Sequence, residues 1–252
     1  MRKNIAIFAL LMGASMASAQ TMKIHLSDGT TATYPAERVN YVEFIEDDTP
    51  GGNGYDNGHD YVDLGLPSGL LWATCNVGAS SPEDYGDYFA WGETEGYNSG
   101  KTTFDWSTYK WCNGTDDSLT KYCTRSIYGT VDNKTVLDPA DDAAHANWGG
   151  SWRMPTMEER VELIEKCTCT WTTQSGVNGY KFVGPNGNSI FLPAAGYRYN
   201  SSFGNVGSYG SYWSSSLDTS SPSTACYFTF DSSLVGWGIH CRDYGLSVRP
   251  VR

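Results

Sequence analysis

One strongly predicted helix, followed only by short strand-like segments, limits the folds open to this chain. Thr156 and Glu159 have the spacing of a capping box, and Leu163 and Ile164 give the helix that follows them a buried side. After residue 169 the strand-like segments are GYKFVG, SIFLPAAGYR, SYWSSS, ACYFTFD and LSVRPVR. Residues 96–150 are polar and predicted to form loops. The sequence therefore predicts an α+β fold with long loops.

The chain has 252 residues, and the first 58 divide into three predicted segments. Residues 1–19 are typical of a secretory signal peptide, with Arg2 and Lys3 before a short apolar run and Ala17-Ser18-Ala19 at the cleavage site. Residues 20–45 are predicted to form a small β segment, a hairpin around Asp28-Gly29. Residues 46–58 are rich in Gly and Asp and are predicted to be a linker. We expect an exported protein, secreted or at a cell surface, whose mature chain does not insert into the membrane.

Charge and cysteine spacing restrict the partners and cofactors. The formal net charge is −11 at pH 7, and so negative a surface repels phosphate, which argues against nucleic acid as a partner. The seven cysteines lack zinc-site spacing, and their odd number leaves at least one without a partner in the chain. The carboxylates between residues 83 and 95 lack EF-hand spacing and are expected to form a solvated loop. No cofactor, metal site or catalytic residue is predicted.

Aromatic residues are expected to build the core of residues 59–252. The candidates are Trp72, Trp91, Trp152, Trp213 and Tyr61, with indole N–H groups donated to loop carbonyls. Arg249, near the carboxyl end, is expected to form an ion pair or to bind loop carbonyls.

An ordered set of motifs resembles the FISUMP (major paralogous) domain family of exported bacterial proteins. The motifs are DYVDLGLPSGLLWATCNVGA, YGDYFAWGET, SWRMPTMEE, FLPAAGYR, YWSSS and LSVRPVR, and they span residues 60–252. The resemblance implies a C-type-lectin-like domain, related to the formylglycine-generating enzyme fold, over residues 59–252. It also implies that the terminal strand pairs near the start of the domain. Formylglycine-generating relatives bind copper through a cysteine pair, for which Cys226 and Cys241 are the candidates, but no surrounding motif matches.

The last 71 residues, Phe182 to Arg252, contain no Lys, Glu, Gln or Met, although the preceding 181 residues contain 26 of them. Randomising the adenines of an Asn codon yields every amino acid except these four and Trp. The unpatterned segment GIHCRDYG fits that rule, and regular framework residues surround it. This region is therefore similar to the variable protein of a diversity-generating retroelement. Ordinary divergence remains the alternative, because Lys and Glu are poor strand formers.

We therefore predict a binding or adhesion protein, not an enzyme, that recognises an unknown protein or glycan at a cell surface. Its recognition surface is expected in a variable region of about 197–245, carried by loops on a rigid scaffold and rich in Tyr, Ser, Gly and Asn. The predicted contact residues are Tyr197, Tyr199, Asn200, Phe203, Asn205, Tyr209, Ser211, Tyr212, Tyr227, Gly236, Gly238, Ile239, His240, Cys241, Asp243 and Tyr244. Two alternatives stay open: a formylglycine-generating-type oxidase and a fimbria-like structural protein without a specific ligand.

Overall fold

A computed structural model describes residues 21–25, 31–36 and 53–252. The chain separates into two compact units, Met1–Asp48 and Thr49–Arg252. The predicted signal peptide lies outside the described residues, as does most of the predicted linker.

In the first unit, strand β1 (Thr21–His25) pairs antiparallel with β2 (Thr31–Pro35). The register places Lys23 opposite Thr33. The two strands of the predicted hairpin are thus confirmed, and the Asp28-Gly29 turn lies outside the described residues.

The second unit contains four small antiparallel sheets. The first joins β3 (Gly54–Asp56), β4 (His59–Asp63) and β5 (Leu71–Ala73), so the structure places residues 54–56 of the predicted linker in a strand. The second joins β6 (Thr168–Gln174), β7 (Val177–Val183) and β8 (Ser189–Pro193). The third is the pair β9 (Tyr197–Tyr199) and β10 (Ser202–Gly204). The fourth joins β11 (Gly210–Leu217), β12 (Thr224–Phe230) and β13 (Val235–Cys241), in that order.

Two α-helices and one 3-10 turn, Pro139–Asp141, accompany the sheets in the described residues. Helix α1 (Ala143–Trp148) is short and lies in the region predicted to be loops. Helix α2 (Met157–Lys166) is the predicted helix, and its capping box is confirmed. The Thr156 side chain accepts from the Glu159 backbone N–H, and the Glu159 side chain accepts from the Thr156 backbone N–H.

The fourth sheet separates two apolar clusters of the core. Trp213 and Ala225 point into one cluster with Trp91 and Trp152. Their sheet neighbours Tyr212, Phe228 and Phe230 point to the other side, where Leu163 of α2 packs against them. Side chains of successive strand residues alternate between the two faces, and this alternation fills both clusters from one sheet.

The burial of the four tryptophans is confirmed, whereas Tyr61 is only partly buried. The predicted donation to loop carbonyls holds for Trp213 alone, because Ser214 lies in β11 and Asp56 in β3. Trp72, Trp91, Trp152 and Trp213 are fully buried. The Trp91 and Trp213 indoles donate to the carbonyls of Ser214 and Phe89, and the Trp152 indole to that of Asp56. The Trp72 indole has no partner among the described residues. Of the two alternatives predicted for Arg249, an ion pair or binding to carbonyls, the structure shows the second. Its guanidinium donates to the carbonyls of Ala73 and Thr74.

The terminal segment LSVRPVR is not a continuous strand, although the sequence predicts one. Isolated bridges join Leu246 to Phe89, Ser247 to Tyr212 and Val251 to both Trp72 and Arg153. Because its partners come from several segments, no ladder of consecutive pairs forms. The bridge to Trp72 in β5 agrees with the expected return of the chain end to the start of the domain.

The expected α+β, C-type-lectin-like fold is wrong. The molecule is mostly β-sheet, built from several small antiparallel sheets, with only two α-helices among the described residues. Helix α2, with ten residues, is the only helix longer than six residues in the described part of the chain. Residues 235–241, expected to form a recognition loop, are a seven-residue strand that adds to the β content.

Candidate functional site

Five aromatic rings from three segments meet on one surface, which we call the aromatic face. They come from β9, from the β12–β13 hairpin and from the segment after β13, and they are Tyr197, Tyr199, Tyr227, His240 and Tyr244. Tyr199 and Tyr244 are stacked, with ring centroids 4.5 Å apart and planes 18° apart. The His240 ring lies 4.1 Å from Tyr244 and 5.4 Å from Tyr227.

The aromatic face has a rigid base. Trp213 is fully buried, and its ring centroid lies 6.4 Å from those of Tyr227 and His240. Its indole N–H donates to the Phe89 carbonyl at 2.8 Å. Tyr199 keeps 44% of its surface exposed above this base. A recognition surface needs such an arrangement, because contact rings fixed before binding lose less entropy when a ligand arrives.

Glycines leave the middle of β13 open on the same side of the sheet. Gly236 and Gly238 lie opposite Thr229 and Tyr227 in the register. A Cβ atom added at Gly236 would meet no atom within 4 Å, and one at Gly238 would lie 3.0 Å from Cε1 of Tyr227, a tight contact. Tyr209 lies nearby and forms a hydrogen bond with Asp231, which raises the Tyr209 pKa. The exposed surface thus extends beyond the five rings to Gly236 and Gly238 of β13, which have no side chains of their own to cover the backbone.

The hairpin of β9 and β10 carries further predicted residues, but it divides them between two sides. Phe203 lies opposite Arg198 in the register, away from Tyr197 and Tyr199. The Arg198 guanidinium lies 3.5 Å from the Tyr97 ring centroid and 4.1 Å from that of Phe203. Phe203 is therefore half exposed outside the aromatic face, as the cover of a buried arginine.

Asn200 and Asn205 have a conformational reason to be asparagine. Their φ angles are +50° and +56°, in the left-handed region that asparagine tolerates better than most residues. Asn200 also exchanges two backbone hydrogen bonds with Phe104. Both asparagines are exposed, at the two ends of the β9–β10 hairpin.

The structure removes three predicted contact residues from the surface. Ser211 and Tyr212 are buried in β11, and the Tyr212 hydroxyl donates to the Pro193 carbonyl at 2.6 Å. Asp243 is 1% exposed. Ile239 and Cys241 remain accessible, but they alternate with His240 and so lie on the other side of the sheet. The structure therefore does not bring these five residues into the aromatic face.

Two ionisable groups next to the aromatic rings have altered pKa values. Burial, together with the nearby carboxylates of Asp105 and Asp116, raises the pKa of Asp243 to about 7. Burial lowers the pKa of His240. Neither Oδ1 of Asp243 nor Nδ1 of His240 has a hydrogen-bond partner among the described residues. His240 is therefore disposed to be uncharged near neutral pH, whereas Asp243 changes its charge in that pH range.

Arg242, between them in sequence, is fully buried and holds the end of β13 in place. Its guanidinium donates to the Tyr109 hydroxyl and to the carbonyls of Lys121, Tyr122 and Pro222, at 2.8 to 3.1 Å. The Arg242 side chain thus connects the loop that contains Lys121 and Tyr122 to the end of β13, the strand that carries His240.

Sequence reasoning missed one exposed aromatic residue, Trp237. The codon rule points away from Trp237, because an adenine-randomised Asn codon cannot yield Trp, yet the residue is 60% exposed. The alternation Val235, Trp237, Ile239 against Gly236, Gly238 would have indicated a strand with one apolar face. The chemical diversity of the side chains from 235 to 241 obscured this two-residue hydrophobic period in the sequence.

The cysteines and carboxylates that the sequence singled out have mainly structural surroundings. Cys226 and Cys241 are free thiols on neighbouring strands, and burial raises the pKa of both. Less thiolate, the form that binds metals, is therefore present. The expected solvated acidic loop is wrong for Asp87 and Glu93. Both are buried, and Oε1 of Glu93 accepts from the Lys110 backbone N–H.

A cleft of about 510 Å³ shares no lining residue with the aromatic face. Glu93, Lys101 and Thr108 are among its lining residues. Lys101 is already paired with Glu93 at 2.9 Å and donates to the Thr108 carbonyl. The charges of Lys101 and Glu93 are therefore paired with each other.

Residues 170–251 match the model of a domain of unknown function, DUF8237. The match covers about a third of the 252 residues and contains the whole aromatic face. No curated protein and no solved structure matches the chain. Within residues 21–25, 31–36 and 53–252, no helix has the length and apolar character needed to cross a bilayer. The resemblance to the FISUMP family stays a prediction.

Proposed function

We propose that this chain is an exported binding protein whose aromatic face recognises a protein or glycan ligand at a cell surface. The convergence of five rings from three segments on a buried tryptophan base supports the proposal. Tyrosine gives a large contact area at low entropy cost, and open glycines beside it admit a ligand close to the backbone. Strands, not loops, supply most of these contacts.

We further propose that a retroelement diversifies this surface. Most of the predicted variable residues are accessible, whereas Trp213, Arg242 and Arg249 of the surrounding framework are fully buried. Ordinary divergence offers a competing reason for the missing Lys and Glu, because residues 182–252 contain six complete strands, β8 to β13, and Lys and Glu are poor strand formers. Diversification and ordinary divergence predict different DNA sequences around the gene.

Sequencing the 3′ end of the gene and its neighbourhood separates them. Diversification requires a near-copy of codons 197–252 beside a reverse transcriptase gene, with every mismatch at a template adenine. Absence of such a copy removes the diversification proposal and leaves the binding proposal to a separate test.

That test compares Tyr199→Ser and Tyr244→Ser with Tyr55→Ser. Labelled protein is applied to a glycan array and to intact bacterial and host cells. The first two variants should lose any binding that the unchanged chain shows, because the stacked pair is removed. Tyr55 is 60% exposed in β3 and contributes nothing to the aromatic face, so its variant should bind normally. Equal binding by all three variants contradicts the proposal.

A further inference from the structure

Strand β13 forms an open edge of its sheet in the described chain. It pairs with β12 on one side, and no described strand pairs with the other side. Exposed edges normally carry charges, prolines or bulges that prevent pairing with another chain. Residues 235–241 contain no Lys, Arg, Asp, Glu or Pro, and their pairing with β12 is continuous.

Hydrogen bonds at both ends of β13 show which backbone groups face outward. The Asp231 N–H donates to the Leu234 carbonyl at 2.9 Å, and the Arg242 N–H donates to the Ser223 carbonyl at 3.1 Å. Because bonding direction alternates along an antiparallel strand, the even-numbered residues between them point toward β12. The N–H and C=O groups of Trp237 and Ile239 therefore point outward, and neither residue has a backbone partner in the described chain.

The exposed side chains beside this edge are apolar. Trp237 is 60% exposed and Ile239 is 52% exposed, and both lie on the face of the sheet that packs against α2. The neighbouring even positions are Gly236 and Gly238, which leave the backbone accessible. A second strand would thus find hydrogen-bonding groups and apolar cover together, as in β-strand addition.

We infer that β13 pairs antiparallel with β13 of a second copy of this chain, about a two-fold axis at Gly238. Trp237 then lies opposite Ile239 of the second copy, and Ile239 opposite its Trp237, so two identical aromatic–aliphatic pairs form. The outward N–H and C=O groups of these residues bond each other across the axis.

Charge opposes a second copy less at this edge than at surfaces that carry carboxylates. The chain carries a formal charge of −11, so two copies repel wherever carboxylates face each other. Strand β13 carries no acidic residue, and burial keeps His240 disposed to be neutral. One short strand from each copy buries less than the roughly 1,200 Å² of a standard stable interface, so the dimer is weak and concentration-dependent.

Sedimentation velocity of the whole chain tests the pairing, from about 1 to about 200 µM, a range that covers weak association. We expect a monomer that converts to a dimer as concentration rises. Ile239→Lys should raise the dimer dissociation constant at least about tenfold, because it places a charge at the edge. The matched control is Leu234→Lys, at an equally exposed leucine in the turn before β13, and it should dimerise normally.

Engineered disulfides test the register, in a Cys241→Ser background. The axis brings the two copies of residue 238 to about 4.5 Å between Cα atoms, within disulfide range. Gly238→Cys should therefore form a covalent dimer on mild oxidation. Gly236→Cys should not, because four residues along the strand, about 13 Å, separate its two copies.

Three results overturn the inference. A monomer at every concentration excludes a second copy at this edge. A dimer that Ile239→Lys leaves unchanged places the interface elsewhere, and species larger than a dimer exclude a closed two-fold pair. Equal cross-linking of the two cysteine variants excludes the register. These results are separable from the test of the aromatic face, because that test changes Tyr199 and Tyr244, which lie outside β13.

Discussion

Replacing Asp243 by asparagine should stabilise the protein at neutral and alkaline pH but not at acidic pH. Burial comes first among the causes that raise the pKa of this carboxyl from 3.8 to about 7. An acid whose folded-state pKa is raised gives stability that is complete below the unfolded pKa and is lost as pH rises toward the folded pKa. The window of loss therefore runs from about pH 4 to about pH 7, the two pKa values.

The size of the effect follows from the difference of about 3 pKa units between 3.8 and 7. Each unit corresponds to about 1.4 kcal/mol, so the free energy of unfolding should fall by about 4 kcal/mol across the window. Asp243 is 1% exposed, so solvent screening reduces this value little. In a unit of some 200 residues this corresponds to about 10 °C in melting temperature.

Urea unfolding of the unchanged protein and of Asp243→Asn, at intervals from pH 4 to pH 8, measures the effect. The difference between the two free energies should grow with pH in favour of the variant. Titration of His240 affects both proteins and largely cancels in this difference. Asp117→Asn, at an exposed aspartate, is the matched control and should give a flat difference. A flat difference for Asp243→Asn as well would refute the buried-carboxyl reasoning.

Three further substitutions probe the framework, each measured by urea unfolding. Arg242→Met should cost more than about 3 kcal/mol, because three buried carbonyls and a tyrosine hydroxyl lose their donor. Thr156→Ala removes the capping-box acceptor and should cost about 1 kcal/mol. Gly184→Ala should cost about 2 kcal/mol, because its Cβ would lie 2.0 Å from the Leu64 carbonyl oxygen. Gly236→Ala, with no atom within 4 Å, should cost nothing; equal losses at the two glycines would contradict this steric argument.

Features with a local physical cause were predictable from the sequence. The capping box requires only two side chains three residues apart, so Thr156 and Glu159 fixed the start of α2. Large aromatic residues are driven into the core wherever the chain folds, so the burial of Trp91 and Trp213 followed from their size. Neither inference depended on knowing how distant strands pair.

Features that depend on distant pairing were not predictable. LSVRPVR has the composition of a strand, but its bridges go to Phe89, Tyr212 and Trp72, which no local pattern indicates. The aromatic face likewise requires β9 and β13 to meet through Tyr197 and His240. Sequence reasoning found all five members of the aromatic face, but it could not separate the two sides of a strand that it predicted to be a loop.

The alternation within β13 separates two surfaces that the sequence joined into one. His240 faces the aromatic rings, whereas Ile239 lies beside Trp237 on the opposite face of the sheet. An adenine-randomised codon can change Ile239 but cannot produce Trp237, so diversification would vary one member of the proposed dimer pair and leave the other constant. Different versions of the protein should then share the edge backbone and its hydrogen bonds but differ in dimer strength. Ligand choice would vary independently, because the rings that set it lie across the sheet from that pair.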